Sequence, residues 1–393
     1  MASRAERTLV GEWWWTVDRS ILVAIAVLMV AGLVFLMGGG PPVAERLGLS
    51  TFHFVSRQIV YLAPAIALMI AVSFLSPRYV RRAALLVYLG GLVMVIAALY
   101  LGPEVKGSRR WLNLAGMTIQ PSEFVKPAFV VLTAWLFAEG SRRRDVPGTL
   151  LAMLILPVTI VPLILQPDIG QTMLVSIVWG CLFFTAGLHI FWVAGIGGIG
   201  LFGLFVAYEL IPHVRDRISR FMDKEAGDTF QVDTALEAFA QGGWLGKGPG
   251  EGTVKRILPD AHTDFIFAVT AEEFGILICI ALVCLFGFIV LRGLYLAQRN
   301  EEPFCRLAVT GLVTLFGIQA SINMMVNVHL IPAKGMTLPF ISYGGSSLLS
   351  LAIGMGFLIA LTRKRPRAEI LDRITPNHRP ANRSYGSRTA QDV

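Results

Sequence analysis

The stretch ILVAIAVLMVAGLVFLMG, residues 21–38, contains no charged or hydrogen-bonding side chain. A helix rises about 1.5 Å per residue, so a run of this length covers most of the roughly 30 Å of hydrocarbon in a bilayer. Nine further apolar runs follow it, at 58–75, 83–102, 119–138, 149–165, 169–186, 190–211, 265–291, 307–326 and 341–361. Only Gln166-Pro167-Asp168 separates the fifth from the sixth, and the fourth and eighth carry charges inside the run. Pro64, Pro157 and Pro162 fall within spans, where neighbouring helices can satisfy the freed backbone groups. The whole chain agrees with this pattern. Of its 393 residues 55% are hydrophobic and 15% charged, against about 25% charged in soluble proteins. The expected fold is all-α, a polytopic transmembrane helical bundle of about ten spans occupying residues 21–362. A short cytoplasmic segment, 1–20, precedes it. A basic tail, 363–393, is polar enough to be read as disordered. The first apolar run lacks a small-residue cleavage site and reads as a retained span rather than a signal peptide.

An even number of spans puts both ends on one side of the membrane, and Lys and Arg decide which. With a cytoplasmic N-terminus, the inside segments hold most of the 34 basic residues, in clusters such as Arg142-Arg143-Arg144 and Arg363-Lys364-Arg365. The outside still keeps Lys106, Arg109, Arg110 and Lys126, several cations of the long loop 212–264 including Arg217, and Lys334. An anionic ligand on the outer face would account for them, and so would ordinary solvated loop charge. Cys181, Cys279, Cys284 and Cys305 fit no metal or redox spacing, and neither a metal site nor a nucleic-acid partner is expected. The Gly243–Gly248 stretch resembles a phosphate-binding loop only faintly, with Gln241 in place of its first glycine and Gly248 in place of its Ser/Thr. Any reaction must therefore draw on an activated substrate or an ion gradient.

Charges inside a bilayer cost about 2.5–3.5 kcal/mol on insertion scales and so mark functional candidates. Glu123 and Lys126, spaced i, i+3, share a helix face. They form either a structural ion pair or a phosphate-binding lysine oriented by a carboxylate. Asp168, in the break before the sixth span, is either a helix N-cap or a group positioning a basic ligand-binding residue. Asp264 stands where the outer loop enters the eighth span. There the helix dipole favours the carboxylate, while half-burial beside Phe265-Ile266-Phe267 raises its pKa. That combination suits a general base, and an N-cap fits the spacing equally well. Glu272 and Glu273 need partners or a water-filled cavity, with a helix-packing ion pair as the plain account. The Gly-, Pro- and Ser-rich stretch from Pro332 to Ser347 offers backbone N–H groups, hydroxyls such as that of Ser342, and the Lys334 ammonium; irregular backbone at this depth belongs where it lines a cavity or is buried in protein.

Five ordered blocks resemble the SEDS family, which includes FtsW and RodA. They are Lys106–Trp111 running into Gln120–Lys126, Gln166–Gly170, Gly242–Gly250, His262–Ala268 with Glu272–Gly275, and Lys334-Gly335 with PFISYGGSS at 339–347. Glu12–Asp18 and Phe52–Gln58 are closer to the division branch, FtsW, than to the elongation branch. The resemblance implies a peptidoglycan glycosyltransferase that polymerises lipid II at the outer face of the bacterial inner membrane during septal wall synthesis. The polyprenyl pyrophosphate is the leaving group and Asp264 the general base. Lys126, Arg110, Glu123, Asp168, Lys334, Arg217, His262 and Ser342 are then expected to bind substrate. The implied partners are a class B penicillin-binding protein of the FtsI type and other division membrane proteins. No cofactor is required, and a divalent cation is left open. The chain departs from the family pattern at Ala333, usually Thr, at Asp223-Lys224, often Asp-Pro, and at His329, commonly a small residue. A lipid II flippase, an elongation-type polymerase and a scaffold for a partner enzyme are the competing readings. A transporter should show repeated halves with breaks at matching positions, and no clear repeat relates 21–186 to 190–361.

Overall fold

The computed structural model describes residues 8–105, 107–114, 116–143, 145–187, 190–210, 215, 230–332 and 335–364. Lys106, Arg144, Arg217, Asp223, Lys224, Ala333, Lys334 and the tail from Arg365 lie outside the described residues. The chain divides into two units, residues 17–362 and the two terminal segments 1–16 and 363–393. In the terminal unit, α1 (Leu9–Thr16) carries Trp13, Trp14 and Trp15, and Thr16 accepts bonds from the Arg363 side chain and the Lys364 N–H, each 3.0 Å.

The larger unit is the bundle. Its helices are α2 (Arg19–Arg46), α3 (His53–Ser73), α4 (Pro77–Leu101), α5 (Pro121–Arg142), α6 (Gly148–Leu165), α7 (Ile169–Thr185), α8 (Ile190–Leu210), α9 (Phe230–Gly242), α10 (Ile266–Gln298), α11 (Pro303–Asn327) and α12 (Gly345–Thr362). Each of the ten expected spans coincides with one of them. Eight are long and apolar enough to cross a membrane by length and composition, and α7 is a shorter apolar helix. Helix starts follow local chemistry. Asp18 caps α2 through Ile21 N–H at 3.1 Å, and proline occupies the first turn of α4, α5 and α11, where its missing N–H costs nothing.

Burial separates inner from outer helices. In the most apolar window, 78% of α12, 67% of α5 and 61% of α11 is buried, against 22% of α3 and of α6. The first three therefore form the interior, and α3 and α6 turn most of their surface outward. Small residues allow close approach, as is usual for helices in lipid: a Cβ at Gly345 would stand 2.8 Å from the Tyr61 ring, and one at Gly311 2.6 Å from Val130.

The structure adds three features to the expected fold. An antiparallel hairpin, β1 (Leu112–Leu114) with β2 (Met117–Ile119), precedes α5. Within the long loop 212–264 lie α9 and a 3₁₀ turn at Val254–Arg256. The last span begins only at Gly345, because Pro339–Gly344 forms a buried turn instead. The hairpin, the 166–168 break, the 243–265 segment and the 328–332 and 335–344 segments all follow from helix ends on one side of the bundle, and there they gather. An apolar cluster including Phe54, Leu258, Ala261, Phe265, Val269 and Val326, with Tyr343 packed against it, supports that end.

Candidate functional site

Asp264 is half-buried in the turn that leads into α10. The N-cap position of α10 is Phe265, which makes no side-chain capping bond. The N–H of Ala268 in the first turn instead donates to Asn327 Oδ1 at 3.1 Å. Asp264's own carbonyl accepts from Asn323 Nδ2 and Asn327 Nδ2, both at 2.9 Å. Asn323 and Asn327 are both buried on α11. Sequence reading did not single them out; the available signal was a pair of amides at i, i+4 near the end of an apolar helix.

Ser342 stitches the same turn from the other side. Its hydroxyl donates to Thr263 O at 2.5 Å and accepts from Leu338 N–H at 2.8 Å, while Tyr343 N–H donates to His262 O at 3.0 Å. At 5% exposure Ser342 holds two loops together. Gly335 has φ 62°, and a Cβ there would lie 3.6 Å from Asp264 Oδ2, so the 335–344 segment passes directly beside the carboxylate. His329 also has a left-handed backbone, φ 57°.

His262 lies in an aromatic box, its ring centroid 4.1 Å from Phe54 and 5.6 Å from Tyr343. Its Nδ1 is buried and has no hydrogen-bond partner among the described residues. Burial pushes its pKa down to about 4, so the ring is neutral at physiological pH. Burial likewise raises the Tyr343 phenol, against the pull of Arg57.

A second polar group lies at the top of α5. Lys126 Nζ is 2.9 Å from both carboxylate oxygens of Glu123 and donates to Gln319 Oε1 on α11 at 2.9 Å. Glu123 also accepts from Gln171 Nε2 at 2.7 Å, and its carbonyl accepts from Ser350 Oγ at 2.6 Å. A cavity of about 30 Å³ lies beside this pair, lined by Gln319, Ser350 and apolar side chains of α11 and α12. That is room for a water molecule.

Asp168 is both a helix cap and an ion-pair partner. It caps α7 through Gln171 N–H at 3.4 Å and pairs with Arg110 at 3.4 Å. Burial raises its pKa, and Arg110 pulls it back down. Arg110 also donates to Gln166 O and Pro167 O, the latter at 2.6 Å. Arg110, Asp168, Glu123 and Lys126 are thus joined through Gln171, whereas Asp264, His262 and Ser342 form a separate set.

Glu272 and Glu273 take the structural role. Glu272 accepts from the N–H groups of Thr253, Val254 and Lys255 at 2.6–2.9 Å, and Glu273 accepts from Gly250 N–H and pairs with Lys255. The Gly242–Gly250 stretch docks against a break in α10 at Gly275 (φ 82°, ψ 172°), where Lys247 and Gly248 N–H donate to the carbonyls of Glu272 and Glu273. Among the described residues no three His, Cys, Asp or Glu side chains come together as a metal-ligand set.

Known proteins are similar to this chain in sequence and fold. A "probable peptidoglycan glycosyltransferase FtsW" of Caulobacter vibrioides is 47% identical over 367 residues, covering 93% of this chain and 94% of that protein. A protein of the same name from Geobacter sulfurreducens is 33% identical and covers 88% and 95%. Two solved structures superpose on most of the chain at 26% identity. One, from work on a peptidoglycan synthase complex that coordinates polymerization and crosslinking, has a TM-score of 0.74 and covers 89% of this chain and 98% of that one. The other, the rod shape determining protein RodA of Thermus thermophilus, has a TM-score of 0.67 and covers 90% and 99%. The cell cycle protein family of FtsW, RodA and SpoVE matches residues 18–367, and the chain belongs to that family.

Proposed function

We propose that this protein is a peptidoglycan glycosyltransferase that polymerises lipid II, with Asp264 as the general base. The observation that carries the reading is the anchoring of Asp264: two buried amides hold its carbonyl, and the next turn of helix is capped by one of them, at the end of the bundle where the loops gather. Relatives named peptidoglycan glycosyltransferase FtsW support the reaction class. In the proposed step the 4-hydroxyl of an acceptor sugar attacks C1 of the polyprenyl-pyrophosphate-linked donor. The new C1–O4 bond forms as the bond from C1 to phosphate oxygen breaks. The hydroxyl proton passes to Asp264 and the electron pair leaves with the pyrophosphate. Base catalysis of this kind contributes about 10²–10⁴-fold.

Lys126 and Arg110 are the proposed cations on the anion side of the substrate. Both are bonded within the protein, so Lys126 reaches a phosphate by exchanging a bond to Gln319 or Glu123. Lys334 and Arg217 are proposed for the same role on sequence alone. The division septum as the site of action, a class B penicillin-binding protein as partner, and an inner-membrane orientation with both termini in the cytoplasm complete the proposal.

The test is purified protein in bilayers with lipid II, with and without the cognate penicillin-binding protein. Wild type is expected to form glycan polymer without peptide crosslinks when alone. Asp264→Asn is expected to lose polymer while still binding lipid II, and His262→Ala to be milder. Near-normal polymer from a folded Asp264→Asn variant, together with loss in His262→Ala, would transfer the base to His262.

A further inference from the structure

Gln319, Asn323 and Asn327 follow one another at i, i+4 and i+8 on α11. That spacing places them above one another on a single helix face, over about 12 Å at 1.5 Å per residue. All three are buried, at 2%, 1% and 0% exposure. An amide in such surroundings is costly unless bonded, and each rung bonds segments outside its own helix. Gln319 accepts from Lys126 and donates to Thr337 O at 3.3 Å. Asn323 donates to Met336 O at 2.6 Å and to Asp264 O at 2.9 Å. Asn327 donates to Asp264 O and accepts from Ala268 N–H.

We propose that this amide ladder is the positioning element of the glycosyl-transfer site: it orients the Asp264 carboxylate from behind and ties it to the 335–337 segment and to the Glu123–Lys126 pair. The proposal rests on the reading of Asp264 as the base. Two donors converge on the Asp264 carbonyl, which fills both of its lone pairs and fixes the plane of the 264–265 peptide at the residue that carries the carboxylate. Asn327 also takes the first-turn N–H that a side chain in the entering turn would otherwise cap. The same face holds the carbonyls of Met336 and Thr337, so the segment that starts at Gly335, beside the carboxylate, is registered to the same helix. The ladder touches no reacting atom, and its residues act through Asp264.

The experiment measures turnover and KM with lipid II for the full chain reconstituted in bilayers. Asn323→Ala, Asn327→Ala and Gln319→Ala are compared in the wild-type background and in an Asp264→Glu background. Misplacement of a catalytic group by about 1 Å can cost 10²-fold. Asn323→Ala and Asn327→Ala are therefore expected to lower kcat by about 10- to 100-fold with KM unchanged within about twofold, and Gln319→Ala to do less. In the Asp264→Glu background, where the carboxylate is already displaced, the same substitutions are expected to cost under about threefold, because residues acting as a unit are non-additive. Wild-type kcat in folded variants, a rise in KM alone, or equal losses in both backgrounds would each overturn the proposal. If truncation prevents folding, Asn323→Ser and Asn327→Ser carry the same comparison. Normal polymer from Asp264→Asn would instead sink the base assignment, so the two failures are distinguishable.

Discussion

Asp264 and His262 lie two residues apart in one turn, yet their surroundings give them different chemistry. The carboxylate stands beside a glycine, Gly335, on a backbone that is bonded from behind. The imidazole is packed between Phe54 and Tyr343 with a buried, unpartnered Nδ1. This burial makes His262 a pH-dependent stability element. Its pKa falls from 6.5 to about 4 on folding because burial disfavours the charged ring. Between those values the unfolded chain binds a proton that the folded chain does not, so stability rises with pH across the window. The contribution is complete above pH 6.5 and is lost as pH falls to about 4, with roughly 3 kcal/mol as its ceiling. Thermal unfolding in detergent is expected to show a steeper decline between pH 6.5 and 4 for wild type than for His262→Phe. Parallel profiles would mean that the ring is wet. The base candidate itself was legible in the sequence, because an acidic residue at the mouth of an apolar run is conspicuous. Its anchors were not, since a row of amides in a membrane helix gives no hint of its partners until the loops are placed.

At the level of elements, the helices of the bundle were legible because hydrocarbon thickness imposes a length that composition reports directly. The irregular segments were harder. The Gly242–Gly250 stretch invites comparison with a phosphate cradle, whereas its N–H groups at Lys247 and Gly248 serve the carbonyls released where α10 breaks. Glu272 and Glu273 looked like candidates for chemistry because charges in a span are rare. Four backbone amides and one lysine use them up instead. Lys255 and Glu273 are both almost fully buried, at 5% and 1% side-chain exposure. Removing one partner of such a pair leaves an uncompensated charge and costs about 3–5 kcal/mol, while replacing both with apolar groups is often neutral. Lys255→Met is therefore expected to lower the unfolding temperature markedly, and Lys255→Met with Glu273→Leu to restore most of it. A double variant no more stable than the single one would show that Glu273 matters chiefly through Gly250 N–H.

For the whole molecule, the charge distribution predicts which end faces outward, and the structure gathers Asp168, Glu123, Asp264 and Ser342 at one end of the bundle. In a variant with its four cysteines replaced, a cysteine at Thr118 in the exposed hairpin is expected to react with a membrane-impermeant thiol reagent from outside the cell membrane. One at Ser141, at the opposite end of α5, is expected to react only after permeabilisation. The reverse pattern would invert the proposed topology and put Asp264 in the cytoplasm. The break at Gly275 bears on how such a molecule lives in a deformable solvent. With 33 residues α10 would be about 50 Å long if straight, well beyond the roughly 30 Å of hydrocarbon. The loop after α9 bonds both pieces at the break, the upper stub through the carbonyls of Glu272 and Glu273 and the lower shaft through the N–H groups of Ile276 and Leu277. The lower shaft is the part that lipid grips. Bonded on both sides, the glycine is a held bend, so a bilayer meets two short pieces at a set angle rather than one straight rod.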